Sequence, residues 1–407
     1  MHGSKSISQR YILLSAFTNI PLTLSNRSYS DDEDVAISIA RSCGSDVTLT
    51  GDRIIMKPSF RCADSIDVRE SATSFRLTLG LLAALKCKTT IRMDPSLAAR
   101  PHDDLLGSLR DFGGQIDWSS DGSLTVDFSM MTVVPYAVSG STSSQFVSSA
   151  ILMNALSGRE SEVRSSYAIS SSGYVDLTIQ VLRDFGFSVE KSDGEFSIGR
   201  ISEPTRIWVD LEGDYSSASF LIALGVLASN SGIKIENLPE HSKQPDAVFV
   251  ELLRNAGADV QFVGDGLVAV KSSPSRFAID VNSTPDLAVP ASVIGIFSRD
   301  GVLLRNCRRL EIKESDRLKS IIELASSFGA VTEREGNDLF IRSSSGMRNE
   351  TMLFRDHRMI MAEAIASVAS GTRFPIENTR MVAKSYKNFF EDLARIGVKV
   401  DERKDND

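Results

Sequence analysis

The phrase LRDFGGQIDWSSDGSLTV, Leu109–Val126, sets the architecture of this chain. It leaves an amphipathic helix, turns at Gly113, runs through a short strand and a polar turn, and enters a second strand. There Leu124, Val126 and Phe128 alternate with polar residues. Glycine suits the turn because helices often end on a residue at positive φ, and the alternation marks a sheet with one wet face. The same phrase recurs around Gly44 (ARSCGSDVTLTGDRIIM), Gly186 (LRDFGFSVEKSDGEFSI), Gly257 (LRNAGADVQFVGDGLVAV) and Gly329 (ASSFGAVTEREGNDLFI). A last copy, LARIGVKVDERKD, follows around Gly397. The glycines stand roughly 70 residues apart, too far for a common solenoid repeat, so each unit is a small βα subdomain.

Upstream of each glycine lies a helix of a second kind, polar at its head and apolar nearly all round. These helices start at Lys5, Glu70, Ser143, Asp214, Pro285 and Asp356. A helix apolar on every side is buried. The expected fold is therefore α/β, with buried helices wrapped by half-exposed sheets, the reverse of a common α/β barrel. Six units divide most simply into two lobes of three, residues 5–212 and 213–407, joined near Glu212–Asp214. Helix heads offer free N–H groups and the positive end of the dipole to anions, and a cleft between lobes is where ligands bind. Several of these heads carry Lys, Arg or Gln as well, which capping alone does not require.

Composition narrows the function. The chain has 407 residues, 42% hydrophobic and 24% charged, with a net charge of −8. That composition is globular, and the acidic balance argues against nucleic acid as a partner. No apolar run is long enough for a membrane span, and the amino terminus lacks the apolar core of a secretion signal, so a cytoplasmic location is expected. The four cysteines, Cys43, Cys62, Cys87 and Cys307, show no CxxC pair and no metal-ligand spacing; free thiols are expected. The four histidines form no metal-binding pair either.

Several short segments carry a more specific signal. They are KSISQR (Lys5–Arg10), ARP (Ala99–Pro101), SSQF (Ser143–Phe146), GDYSSAS (Gly213–Ser219), Pro285-Asp286, KESDRL (Lys313–Leu318), DHRM (Asp356–Met359) and AKSY (Ala383–Tyr386). In this order and spacing, the chain resembles the 5-enolpyruvylshikimate-3-phosphate synthases of the enolpyruvyl transferase family over nearly its whole length. The resemblance implies two lobes, each an inside-out barrel of three βαβαββ units, with residues 1–4 a remnant of the crossover from the second lobe. It implies transfer of the enolpyruvyl group of phosphoenolpyruvate to the 5-hydroxyl of shikimate 3-phosphate. These substrates together carry a charge of about −5 to −6, so an acidic protein must concentrate cations to hold them.

Residue by residue, the resemblance gives Ser6, Arg10, Ser143, Ser144, Ser171 and Lys313 to shikimate 3-phosphate. It gives Ala72, Arg100, Gln145, Arg317, Arg358 and Lys384 to phosphoenolpyruvate, and sets Lys5 against both as a catalytic residue. Asp286 is the expected base toward the hydroxyl, where it also touches shikimate 3-phosphate, and Glu314 the expected partner of the methyl carbon. Neither cofactor nor metal is expected, and a monomer is. A UDP-N-acetylglucosamine enolpyruvyl transferase and a catalytically silent repeat scaffold are the alternatives. The first lacks its usual cysteine here, and the second would have lost some of Lys5, Asp286, Glu314 or Arg358. A nucleotide-dependent RNA 3′-phosphate cyclase of similar subdomain design is disfavoured by the acidic chain.

The chain departs from the family pattern in four places. Ala72 replaces a glycine lining the phosphoenolpyruvate pocket, which predicts weakened inhibition by glyphosate. Arg309 replaces an asparagine near shikimate 3-phosphate. Gly173 replaces a common proline before Tyr174, predicting a looser loop at Ser171. The chain opens at Gly3-Ser4-Lys5 without the opening strands of relatives, predicting a second lobe short of a sheet edge.

Overall fold

The computed structural model describes residues 1–131, 136–158, 160–344, 352–373 and 375–401; the last repeat copy runs out of these at residue 402. All six repeat glycines turn at positive φ, from 74° at Gly329 to 98° at Gly44. The amphipathic helices before them are Asp31–Ser42, Asp103–Asp111, Gly173–Asp184, Val248–Asn255, Arg317–Ser327 and Phe389–Arg395. The all-round apolar segments form the helices Lys5–Thr18, Ala72–Ala84, Ser144–Leu156, Tyr215–Ala228, Ala288–Phe297 and His357–Ser370. Each of the latter is buried along most of its length. Burying one Leu or Phe on such a helix contributes roughly 1.5–3 kcal/mol, which is why these segments occupy the interior.

The second unit shows the pattern. Ser65–Asp67 leads through the buried helix Ala72–Ala84 to a parallel neighbour, Lys88–Arg92, in register Ser65↔Thr90. After the helix Asp103–Asp111, the hairpin Gln115–Trp118 and Leu124–Asp127 adds two antiparallel strands. Leu124, Val126 and Phe128 are all fully buried, as their alternation predicts. The third and fifth units repeat this four-stranded order. In the first, the parallel place beside Leu22–Ser25 is taken by Ile207–Asp210, which arrives from far along the chain. The fourth sheet has three strands, Ile233–Ile235, Gly266–Val270 and Asp259–Val263. The sixth unit shows no strand among the described residues.

Helices lie inside and open sheets outside, and no sheet closes on itself among the described residues. One packed set of buried side chains runs from Tyr11 to Leu211 and a second from Tyr215 to Leu393. Residues 1–4 lie at the crossing between them. Gly3 bridges Gly213, the Ser4 amide donates to Glu212 O (2.8 Å), and the terminal amine donates to Glu236 O (2.9 Å).

One sequence expectation is corrected. Cys62 and Cys87 form a disulfide with Cα atoms 5.5 Å apart, and only Cys43 and Cys307 are free and buried. The cause is the parallel register. Ser65 faces Thr90, so three residues earlier Cys62 faces Cys87. An offset of 25 residues set by a crossover helix leaves no short motif to recognise.

Candidate active site

The heads of the buried helices converge on one cavity with about 120 Å³ of solvent space. Of the predicted site residues, all but Arg317 line it: Lys5, Ser6, Arg10, Ala72, Arg100, Ser143, Ser144, Gln145, Ser171, Asp286, Lys313, Glu314, Arg358 and Lys384. Three of the heads, at Ser4, Ser71 and Leu287, carry no side-chain cap; at the first the Lys5 amide donates to Asp214 Oδ2 (3.0 Å), while the head at Ser71 keeps its amide donors available to an anion. With Arg76 and Arg309 the cavity holds eight cations against the five carboxylates of Asp32, Glu70, Asp214, Asp286 and Glu314. The local sign is thus opposite to the chain's net charge of −8.

Arg317 sits behind the lining, 1% exposed, with every nitrogen on a carboxylate. Its Nε donates to Asp356 (2.9 Å), Nη1 to Asp286 (3.1 Å) and Nη2 to Glu314 (2.8 Å). Arg317, expected at phosphoenolpyruvate, here forms a fork that holds both acid–base candidates. Asp286 stands in the 3-10 turn Pro285–Leu287 ahead of its helix. Asp356 is the N-cap of His357–Ser370, accepting from the Arg358 amide at 2.9 Å. Arg358 Nη2 reaches Asp286 from the other side at 2.9 Å, and Arg100 Nη1 lies 3.5 Å from Glu314.

Burial pushes the Asp286 carboxyl up, but Arg358, Lys313 and Arg317 outweigh it and hold it well below the usual range. Glu314 is likewise raised by burial and held low by Arg100, Arg317 and Lys384. Lys313 goes the other way: burial pulls its ammonium down to about 7 despite Asp286.

The remaining cations rest on other partners. Lys5 Nζ meets Asp32 at 2.8 Å, and Lys384 Nζ meets Glu70 at 2.9 Å. Arg10 spends its donors on Thr178 Oγ1 (2.9 Å), Ser6 O (2.6 Å) and Tyr174 O (3.1 Å). Ser171 has φ of 55°, a left-handed conformation that costs a non-glycine residue roughly 1–3 kcal/mol. It is held there by its amide on Asn282 O (2.9 Å) and by Arg309 Nη1 on its Oγ (2.7 Å). Arg309 thus joins the cavity wall as a cation and an anchor. The loop predicted to loosen at Gly173 is tied instead, because Gly173 is packed on Pro245: a Cβ there would lie 2.8 Å from Pro245 Cγ.

Several lining residues escaped sequence reasoning. Arg76 donates to Gln145 Oε1 (2.9 Å), Ser143 Oγ (3.3 Å) and Pro101 O (3.1 Å), and so fixes the SSQF head. A single charge inside the apolar segment ESATSFRLTLGLLAAL was the signal for it. Asp32, Tyr174 and Asp214 stand in segments that read as ordinary caps and amphipathic faces. His357, left out of the predicted site, lines the cavity, and burial pushes its imidazole down to about 3. Asp246 is outside the lining but accepts from Tyr174 OH at 2.7 Å.

Comparisons with known proteins bear on the family and the fold. The sequence model of the EPSP synthase family, 3-phosphoshikimate 1-carboxyvinyltransferase, matches residues 1–393. A 3-phosphoshikimate 1-carboxyvinyltransferase of Picrophilus torridus is 42% identical over 400 residues, 97% of this chain and 95% of that protein. Its counterpart in Thermoplasma volcanium is 39% identical over 401 residues, 97% and 94% of the two chains. Among solved structures, EPSP synthase from Acinetobacter baumannii superposes with a TM-score of 0.77 at 20% identity, covering 99% of this chain and 96% of that one. The enolpyruvyl transferase NikO from Streptomyces tendae reaches 0.77 at 20% identity, covering 98% and 94%. At that identity the structures speak for the fold alone; the sequence relatives, spanning both chains almost end to end, place this chain in the EPSP synthase family.

Proposed function

We propose that the protein transfers the enolpyruvyl group of phosphoenolpyruvate to the 5-hydroxyl of shikimate 3-phosphate, releasing phosphate. The observation that carries this reading is the Arg317 fork, which aims two carboxylates into a cavity otherwise rich in cations. Asp286 takes the proton of the 5-hydroxyl as its oxygen attacks C2 of phosphoenolpyruvate. Glu314 delivers a proton to the methylene carbon, which becomes a methyl group. In the second half Glu314 takes a proton back from that methyl, the C–O bond to phosphate breaks, and the proton held by Asp286 leaves with phosphate.

Glu314 can act as an acid only if its proton affinity rises. Anionic substrate supplies the cause: when Arg100 and Lys384 turn to phosphoenolpyruvate, two of the cations holding Glu314 low are withdrawn. Lys5, between both substrates, exchanges Asp32 for their oxygens. Gln145, Arg317 and Arg358 complete the phosphoenolpyruvate side, Arg317 while also steadying the carboxylates beside it, and Ala72 narrows the pocket. Ser6, Arg10, Ser143, Ser144, Ser171 and Lys313 take shikimate 3-phosphate. In this reading residues 5–212 and 213–407 are two lobes of three units, supported by cores that divide between Leu211 and Tyr215, with residues 1–4 at the crossover. The enzyme works as a monomer on phosphorylated metabolites of the cytoplasm, without metal or cofactor.

Phosphate release from phosphoenolpyruvate, measured with shikimate 3-phosphate and in parallel with UDP-N-acetylglucosamine, tests the reading. Release with shikimate 3-phosphate alone is expected; release with the sugar nucleotide alone would overturn the acceptor.

A further inference from the structure

We propose that Asp246 is a positioning residue for Asp286, acting from behind the cavity beside Tyr174, which it accepts from, and beside the Arg358 that holds Asp286. This rests on Asp286 being the base. Asp246 stands on the 3-10 turn Pro245–Ala247, is 3% exposed, and has only one of its oxygens engaged: Oδ2 accepts from Tyr174 OH at 2.7 Å. Among the described residues Oδ1, sealed from solvent, has no hydrogen-bond partner, nor has Nη1 of Arg358, whose Nη2 holds Asp286 at 2.9 Å. A buried carboxylate with half its acceptor capacity idle is costly, and beside a catalytic candidate it calls for an explanation.

The approach that makes this contact is close. Gly173 lets the helix Gly173–Asp184 close on Pro245, where a Cβ would sit 2.8 Å from Pro245 Cγ. The next residues on each side, Tyr174 and Asp246, then meet. The same meeting place joins Ser171 to Asn282 and Arg309, so the segment is fixed from two directions.

The charged and titratable groups facing Asp246 come from four elements: Tyr174, Asp286, Arg358 and Asp214. Burial and then the nearby Asp286 push the Asp246 carboxyl up to about 7, while Tyr174 and Arg358 act against them. Two carboxylates in one neighbourhood are driven apart in this way. Asp286 alone is held too low by its three cations to be an effective base near neutrality. A negative charge on Asp246 opposes those cations and raises the proton affinity of Asp286. The ionised form of Asp246 is the working form.

The test compares wild type with Asp246→Asn, which keeps the acceptor for Tyr174 and removes the charge. Turnover at saturating concentrations of both substrates is followed against pH, since bound phosphate then keeps Lys313 charged. Wild-type kcat is expected to rise through an inflexion near neutrality. In D246N that inflexion disappears and kcat falls roughly 3- to 10-fold, with both KM values within about twofold. A wild-type inflexion surviving in D246N, whatever the drop in kcat, assigns Asp246 a structural role and overturns the proposal. Should D246N fail to fold, Tyr174→Phe removes the donor that favours the ionised form, and the inflexion is expected at higher pH; an unmoved inflexion is equally fatal.

Infrared difference spectra give a reading independent of turnover. Glu363 gives a protonated-carboxyl band in both proteins; a second such band, present in wild type below neutrality and missing from D246N, is expected, and identical spectra for the two proteins overturn the proposal. Failure of the enzyme reading would look different: the band would remain, but wild type would release no phosphate with shikimate 3-phosphate, or Asp286→Asn would keep full activity.

Discussion

The cavity wall built from residues before 212 and the wall built from residues after 213 differ in how their charges are used. On the first, Arg10 and Arg76 spend their donors on hydroxyls, an amide and backbone oxygens, and so organise helix heads without being neutralised. On the second, Arg317 and Arg358 are matched to Asp286, Glu314 and Asp356, and the charges hold one another in place. One wall keeps positive potential for anions; the other stores opposite charges at fixed distances, ready to move protons. Preorganisation of this second kind is what lowers a barrier, whereas the first kind lowers KM.

The largest expected effect breaks the second wall. Asp286→Asn or Glu314→Gln should lower kcat at least about a hundredfold with the fold intact by circular dichroism; near-normal turnover in either would remove that residue from the proton transfers.

Next is Lys313, whose ammonium is pulled down to about 7 by burial. Binding of an anion raises it again, so binding shikimate 3-phosphate above neutrality takes up a proton. Affinity should accordingly fall as pH rises through 7, by up to about tenfold per unit. Titration calorimetry in two buffers of different ionisation enthalpy measures the uptake, which should vanish in Lys313→Met.

Ala72→Gly tests the first wall. Opening the pocket by one methyl should lower the glyphosate inhibition constant by roughly tenfold, in the range one misplaced methyl commands in a binding site; an unchanged constant would mean that Ala72 does not constrain the pocket.

The smallest effect lies further from the chemistry. Glu363 is buried on the helix His357–Ser370 with no hydrogen-bond partner for either oxygen among the described residues, and burial followed by Glu377 raises its carboxyl to about 8. Because the folded state holds the proton more tightly than the unfolded chain, its contribution is fully present below about 4.5 and is lost as pH rises toward 8. Glu363→Gln should therefore gain roughly 1–3 kcal/mol on wild type between pH 5 and pH 8, visible as a flatter dependence of Tm on pH.

What could be read from sequence was local. A glycine closing an amphipathic helix and a helix apolar on all sides declare themselves within twenty residues, and both lie where expected. The lining residues were legible because their segments match a family pattern. Contacts between distant segments were not. Arg317 reaches Asp286 across 31 positions and Asp356 across 39, and nothing in KESDRL distinguishes a fork holding three carboxylates from an arginine awaiting substrate. Asp246 reads as an ordinary acidic residue at a helix start, where the dipole alone would favour it. Arg76 was legible and overlooked.

The Cys62–Cys87 bond ties down the base of the parallel pair from which the helix carrying Ala72, Thr73 and Arg76 springs. Closing a loop of 25 residues removes roughly 3 kcal/mol of freedom from the unfolded chain. A batch handled in air and a batch kept under thiol reductant are then two different materials, alike in the assay tube and unlike in a heating block. Their melting curves should separate by several degrees and merge in Cys62→Ser, so the redox history of a sample sets how well the protein survives warming.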